Sequence, residues 1–145
     1  MVEKTSSIQK IARIAGVLYL LITVLSIPVH FVIPAQLIVA GDAAATASKI
    51  LASAGLFRMG IAAELALLLS EIVLSVLLYV LLKPVNKTLS LVAAVSRLAM
   101  TTIHGANLLT HFIVLLLLGG AGYLTVFAPN QLHALVMVFL NAYDY

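Results

Sequence analysis

Residues 65–87, LALLLSEIVLSVLLYVLLKPVNK, decide the fold that we predict for this chain. Between Glu64 and Lys83 the only charged residue is Glu71, and a membrane-spanning helix needs roughly 20 consecutive, mostly apolar residues. We therefore expect this stretch to cross a membrane. Residues 83–87 connect it to a second long apolar run, and so short a connection between two helices predicts an antiparallel hairpin.

Charged residues are equally rare in two further stretches, one before residue 42 and one after the 83–87 connection. Residues 14–41 contain no Asp, Glu, Lys or Arg, and residues 88–143 contain one, Arg97. We expect three membrane-spanning helices, at about residues 11–33, 57–82 and 89–118. Pro28 is expected to kink the first of them, and Pro34 is expected to end it.

The composition excludes most soluble classes of protein. Of the 145 residues, 63% are apolar and 9% are charged, whereas soluble domains are roughly 45–50% apolar and about 25% charged. So few charges cannot cover a soluble surface, which excludes a disordered chain, a nucleic-acid-binding module and an ordinary soluble enzyme. The expected partner is the lipid bilayer and not nucleic acid. The absence of cysteine excludes disulfides, thiolate catalysis and cysteine-ligated zinc.

Two shorter helices are predicted outside the spans. Asp42 is a good N-cap for an amphipathic helix at about residues 43–54, lying at the outer membrane surface or packed on the bundle. A last helix begins near Pro129, which suits the first helical position, and runs to about residue 145. It is short for a span, so we expect it to be truncated or interfacial. The predicted fold is an all-α membrane protein with a single domain over residues 1–145.

The Lys and Arg residues predict the orientation in the membrane. Five of them lie toward the N-terminal end of the first span or in the hairpin loop, and two, Lys49 and Arg58, lie on the opposite side, around the connection between spans one and two. Loops on the cytoplasmic side carry the excess of Lys and Arg. We therefore expect the N-terminus and the 83–87 loop inside, and the helix at 43–54 outside.

Four segments carry a resemblance that covers nearly the whole chain: RIAGVLYL at residues 13–20, GDAAATASKILASAGLFRMG at 41–60, LYVLLKPVNK at 78–87 and LNAYDY at 140–145. Together they resemble the family called domain of unknown function 4386. The resemblance implies a multi-pass helical protein of the cytoplasmic (inner) membrane of a prokaryote. Members of that family continue past the final Asp-Tyr pair, so we expect this chain to be the N-terminal part of a longer protein. Its expected partners are further helices of that protein or a second copy of the chain.

Ionisable residues inside spans two and three form two stripes. Such residues are costly within a membrane, so each is a hypothesis of function. Residues seven apart lie two turns apart on one face of a helix, and in an antiparallel hairpin the acidic positions alternate in depth with the basic ones. The predicted polar network consists of Glu64, Glu71 and Ser75 on span two, and Arg97, Thr101, His104, Asn107 and His111 on span three.

Three interpretations of this network stay open. In the first, a pair such as Arg97–Glu71 holds two helices together, and the protein is a non-enzymatic membrane component with a small polar pocket. In the second, the stripe is a pathway for a proton, an ion or a small solute, as in a transporter or relay. In the third, the protein is an intramembrane metal-dependent enzyme.

The third interpretation is the weakest because residues seven apart on a helix lie about 10 Å apart, too far to share one ion. The weak metal candidates are Glu64, Glu71, His104 and His111. We expect no catalytic residue, no resident metal and no cofactor, and a non-enzymatic role is favoured. His30, near the outer end of span one, is interpreted as an interfacial residue and not as a ligand.

Overall fold

The computed structural model describes residues 2–143, with side chains from residue 8 onward. Over this range the regular structure is helical, which confirms the all-α fold class. The α-helices are α1 (Val2–Ile27), α2 (Ile33–Leu37), α3 (Ala43–Ala52), α4 (Ala54–Leu82), α5 (Lys87–Leu118) and α6 (Pro129–Tyr143). A π-helical turn, Pro28–Val32, joins α1 to α2, and a 3₁₀ turn, Gly122–Val126, precedes α6. Asp144 and Tyr145, which were expected to end the last helix, lie outside the described residues.

Three segments of the described chain are long and apolar enough to cross a membrane: Ile8–Leu37, Ala54–Leu82 and Lys87–Leu118. Each corresponds to one of the three predicted spans. Large apolar side chains on all three point outward, and Val17, Met59 and Ile103 are each 64% exposed. Such wide apolar surfaces would destabilise a soluble monomer but suit contact with lipid. The chain is a membrane protein.

The first span continues beyond the position predicted for its end. Pro34 was expected to end the helix, but α2 continues to Leu37. Pro28 begins the π-helical turn, and Pro34 then occupies the first turn of α2. The backbone stays helical from α1 into α2, and the Ile33 N–H bonds to the Pro28 carbonyl five residues earlier, so the widened turn accommodates a proline that has no N–H. The helix ends where Ile38 becomes extended.

The predicted hairpin is formed by α4 and α5. The Asn86 side chain accepts a hydrogen bond from the Leu89 N–H (3.0 Å) and so caps the start of α5. One turn further along α5, the buried Ser90 hydroxyl donates to the Tyr79 carbonyl near the end of α4 (2.9 Å). Later residues of α5 therefore face earlier residues of α4, as an antiparallel pair requires.

The short helix α3 packs against α6 instead of lying apart from the bundle. Its start is fixed as predicted, because Asp42 Oδ1 accepts from the Ala45 N–H (2.9 Å). The buried Thr46 hydroxyl accepts from the Val39 N–H (3.0 Å), which ties α3 to the segment before it. Ile50 belongs to the same buried cluster as Leu140 of α6.

Helix α6 turns back along α5 and brings Tyr143 to the middle of the bundle. His104 lies as many residues before the end of α5 as Tyr143 lies after the start of α6, so the two reach the same level. Val136 and Leu140 are buried against α5 and α3. With 15 residues, α6 is shorter than the roughly 20 that a span needs.

Candidate functional site

The carboxylate of Glu64 lies between two histidines of α5. Glu64 is 3% exposed. Its Oε1 lies 3.0 Å from His104 Nε2, and its Oε2 lies 3.6 Å from His111 Nδ1. The two histidines are seven residues apart, so each faces one oxygen of the same carboxylate. Among the described side chains no Lys or Arg lies within 4.0 Å of Glu64, and the histidines alone stabilise its charge.

Tyr143 of α6 closes one side of this arrangement. Its hydroxyl oxygen lies 3.0 Å from His104 Nε2, and its ring stacks on His111 with 4.3 Å between the centroids. An ionised Glu64 carboxylate only accepts hydrogen bonds, so it would accept from a protonated His104 Nε2, and the tyrosine oxygen lies within hydrogen-bond distance of the same nitrogen. Tyr143 therefore joins α6 to the polar residues of the hairpin.

His30 also belongs to this group, although the sequence placed it at the interface. Its ring centroid lies 5.6 Å from that of His104. One ligand atom each of His30, Glu64 and His104 lie within 4.8 Å of one another. We call His30, Glu64, His104, His111 and Tyr143 the histidine cluster. The π-helical turn Pro28–Val32 carries His30, and such turns often occur at functional sites.

A cavity of about 150 Å³ adjoins the histidine cluster. Its polar wall comes from His30, Glu64, His111 and Tyr143, and its apolar wall includes Val29 and Leu140. We call this cavity the Glu64 pocket. A smaller apolar cavity of about 40 Å³ shares Val29, His111 and Leu140 with it. A buried carboxylate therefore faces a space that can hold several waters or one small polar solute.

The other predicted residues form a second group, nearer the hairpin loop. The hydroxyl of Thr101 donates to Glu71 Oε2 (3.1 Å) and lies 3.0 Å from the Arg97 carbonyl oxygen. Nε of Arg97 donates to the Ser75 hydroxyl (3.3 Å). We call Glu71, Ser75, Arg97 and Thr101 the arginine cluster. The contacts of Thr101 with Glu71 and of Arg97 with Ser75 join α4 to α5. The contact between Thr101 and the Arg97 carbonyl lies within α5.

The expected ion pair between Arg97 and Glu71 is not formed. Within residues 8–143 no carboxylate lies within 4.0 Å of Arg97, and Arg97 and Glu71 instead line a cavity of about 90 Å³. Ser75 supplies the acceptor that Arg97 uses instead. Its hydroxyl donates to the Glu71 backbone carbonyl (2.7 Å), so its oxygen remains free to accept from Arg97.

For two residues the structure differs from the polar network predicted from the sequence. Asn107 was placed at the edge of the stripe, and among the described residues its side chain makes no hydrogen bond with either cluster. His30 was left out because Pro34 was expected to end the span close to it. The rule that flags an ionisable residue inside a span would have identified His30. Tyr143 could not be found in that way, because its place depends on α6 folding back along α5.

Comparison with known proteins gives one match. No curated protein and no solved structure is significantly similar to the chain. Residues 14–145 match the family model described as Domain of unknown function (DUF4386), which agrees with the resemblance seen in the four sequence segments. With nearly its whole length covered by that model, this three-span helical membrane protein belongs to the DUF4386 family.

Proposed function

We propose that this protein is a non-enzymatic membrane module that binds a small polar solute in the Glu64 pocket. The observation that carries the proposal is a 3% exposed carboxylate, within a membrane-spanning helix, that faces a cavity of about 150 Å³. Ionisable groups at such depth are costly and mark binding sites or pathways. A purely structural pair would leave no space beside the carboxylate.

The arginine cluster serves a different purpose in this proposal. Its hydrogen bonds from Thr101 to Glu71 and from Arg97 to Ser75 connect the two helices of the hairpin. Hydrogen bonds between membrane helices contribute about 0.6 kcal/mol each on average. They fix the register of α4 against α5, and this register places Glu64 opposite His104 and His111.

A proton relay along the whole stripe is the weaker alternative. Carboxylate and histidine pairs such as Glu64–His104 are the usual parts of proton relays. A continuous relay also needs a link between the two clusters. Among residues 8–143 no side-chain hydrogen bond joins Glu71 or Thr101 to Glu64 or His104.

We further propose a location and an orientation. The excess of Lys and Arg before the first span and in the 83–87 loop supports a cytoplasmic location for both segments. In this orientation α3 lies outside, and the Glu64 pocket is closer to the outer surface than the arginine cluster is. The family resemblance supports the cytoplasmic membrane of a prokaryote. Further helices of the same protein, or a second copy of the chain, would cover the exposed apolar faces.

The pocket can be tested by cysteine labelling, because the natural chain contains no cysteine. Val29→Cys and Leu140→Cys place a thiol in the wall of the Glu64 pocket. In detergent solution we expect both to react with a small water-soluble methanethiosulfonate at least about tenfold faster than Leu74→Cys, because only a hydrated thiol forms the reactive thiolate. Leu74 is a matched control, since it is as buried as Leu140 but does not line the pocket.

The labelling rates decide between a hydrated pocket and a closed, structural cluster. Equal rates at all three positions would contradict the proposal. Val29→Cys is a small change in volume, so its rate remains informative if Leu140→Cys destabilises the fold.

A further inference from the structure

We propose that His30, Glu64 and His104 bind one divalent transition-metal ion, and that a solute in the Glu64 pocket coordinates to this ion. The inference rests on the proposed pocket and deepens it. The three side chains come from the π-helical turn, α4 and α5, and one ligand atom of each lies within 4.8 Å of the others.

The geometry is close to that of a metal site. Ligands about 2.1 Å from a tetrahedral zinc ion lie about 3.4 Å from one another. His104 Nε2 and Glu64 Oε1 are 3.0 Å apart, so a metal would separate them only slightly. All three ligand atoms lie within 4.8 Å of one another, so the His30 nitrogen has to approach the other two by at most about 1.4 Å. An ion would then take the place of the hydrogen bond between His104 Nε2 and Glu64 Oε1.

The chemistry of the ligands selects the class of metal. Two imidazole nitrogens and one carboxylate oxygen suit Zn²⁺, Fe²⁺ or Co²⁺, whereas Ca²⁺ and Mg²⁺ prefer sites made of oxygen. The charge of Glu64 also favours a cation here, since among the described residues no Lys or Arg lies within 4.0 Å of it. A bound dication compensates this charge within the membrane, where an uncompensated carboxylate is costly.

The remaining members of the histidine cluster support the three ligands. His111 Nδ1 faces the second oxygen of Glu64 at 3.6 Å, as an outer partner that orients a ligating carboxylate does. The Tyr143 hydroxyl lies 3.0 Å from His104 Nε2, the nitrogen that would ligate the ion. Three protein ligands leave at least one coordination position open, and two of them, His30 and Glu64, line the Glu64 pocket. A water or a solute with a donor atom would occupy it.

The test measures metal binding by the purified, chelator-treated full chain in detergent. Zn²⁺ is titrated by calorimetry, and Co²⁺ is added as a spectroscopic probe. We expect one equivalent of Zn²⁺ per chain and the visible absorption of tetrahedral Co²⁺. His30→Ala is expected to weaken binding more than about 100-fold, and His111→Ala less, by about 10- to 100-fold, as found for outer partners of metal ligands.

A matched control is His133→Ala, which removes a histidine of α6 that lies outside the histidine cluster. It should bind Zn²⁺ like the natural chain. His30 is a safe position for the decisive variant, because among the described residues its side chain makes no hydrogen bond that the fold could lose. Absence of stoichiometric Zn²⁺ or Co²⁺ binding, or equal affinity of His30→Ala and the natural chain, would overturn the metal site.

The two proposals can fail separately. If Val29→Cys and Leu140→Cys react rapidly but no metal binds, the pocket stands and the metal site is wrong. If these cysteines react no faster than Leu74→Cys and no metal binds, both proposals are wrong.

Discussion

Glu64 lies in a membrane helix without a permanently charged partner. Its neighbours within 4.0 Å that can carry a positive charge are His104 and His111, among the residues that the structure describes. A histidine is positive only when protonated. A negative charge on Glu64 is therefore compensated only when a histidine takes up a proton or a cation binds. An Arg partner would compensate this charge permanently.

Two adjacent threonines provide a residue-scale prediction for the arginine cluster. Thr101 is buried and donates to Glu71 across the hairpin (3.1 Å), whereas Thr102 is exposed and donates only to the Leu98 carbonyl of its own helix (2.8 Å). We expect Thr101→Val to lower the free energy of unfolding by about 1 kcal/mol, because Glu71 loses a buried donor. The measurement is reversible unfolding in mixed detergent micelles.

Thr102→Val is the matched control for the same chemical change. We expect it to alter the free energy of unfolding by less than about 0.5 kcal/mol, because its hydroxyl joins no second helix. Equal effects of the two substitutions would show that the arginine cluster does not connect α4 to α5.

The sequence predicted the residues of the polar network better than their partners. Glu64, His104 and His111 come together because positions seven apart share a helix face, which is a property of the sequence alone. The partner of Arg97 is the Ser75 hydroxyl and not the Glu71 carboxylate. That detail follows from the rotation of each helix and from side-chain conformation, which no spacing rule contains.

At the scale of the elements, capping decides where α3 begins. Asp42 Oδ1 accepts from the Ala45 N–H (2.9 Å), and a helix that loses such a cap is destabilised by about 1 kcal/mol. We expect Asp42→Ala to lower the thermal unfolding temperature, because α3 packs on α6 and supports the wall of the Glu64 pocket.

Asp42→Asn is the control for the cap. Asn caps helices as well as Asp does, so this variant should unfold like the natural chain. An unfolding temperature for Asp42→Asn as low as that of Asp42→Ala would assign the effect to the charge and not to the hydrogen bond.

The spans and the hairpin could be predicted because each depends on local composition. Apolar length predicts α4 and α5, and the 83–87 loop predicts their pairing. The end of the first span could not be predicted in this way. Pro34 predicts a helix end when the backbone before it is a regular α-helix. The π-helical turn Pro28–Val32 widens the backbone just before Pro34 and so lets the helix continue to Leu37.

For the whole molecule, the orientation in the membrane is the main prediction. Ser48 on α3 and Val85 in the hairpin loop are both exposed, and neither carries a charge that helps to set the topology. In intact cells we expect Ser48→Cys to react with a membrane-impermeant thiol reagent. Val85→Cys should react only after the cells are permeabilised, because the excess of Lys and Arg keeps its loop inside.

The two cysteines serve as controls for each other. The opposite pattern of labelling would invert the proposed orientation. Labelling of both in intact cells would mean that the chain does not adopt one fixed orientation. Either result would leave the Glu64 pocket in place and would change only the side from which a solute reaches it.

The π-helical turn has a consequence for changes of chain length. A π-turn corresponds to an α-helix that contains one additional residue. Because the turn absorbs this residue locally, deleting one residue from Pro28–Val32 would restore an unbroken α-helix and leave the face that α1 presents to α4 nearly unchanged. The side chains of the turn itself would be displaced, and His30 is one of them. A deletion of one residue here would therefore spare the helix and its packing and would remove His30 from the histidine cluster.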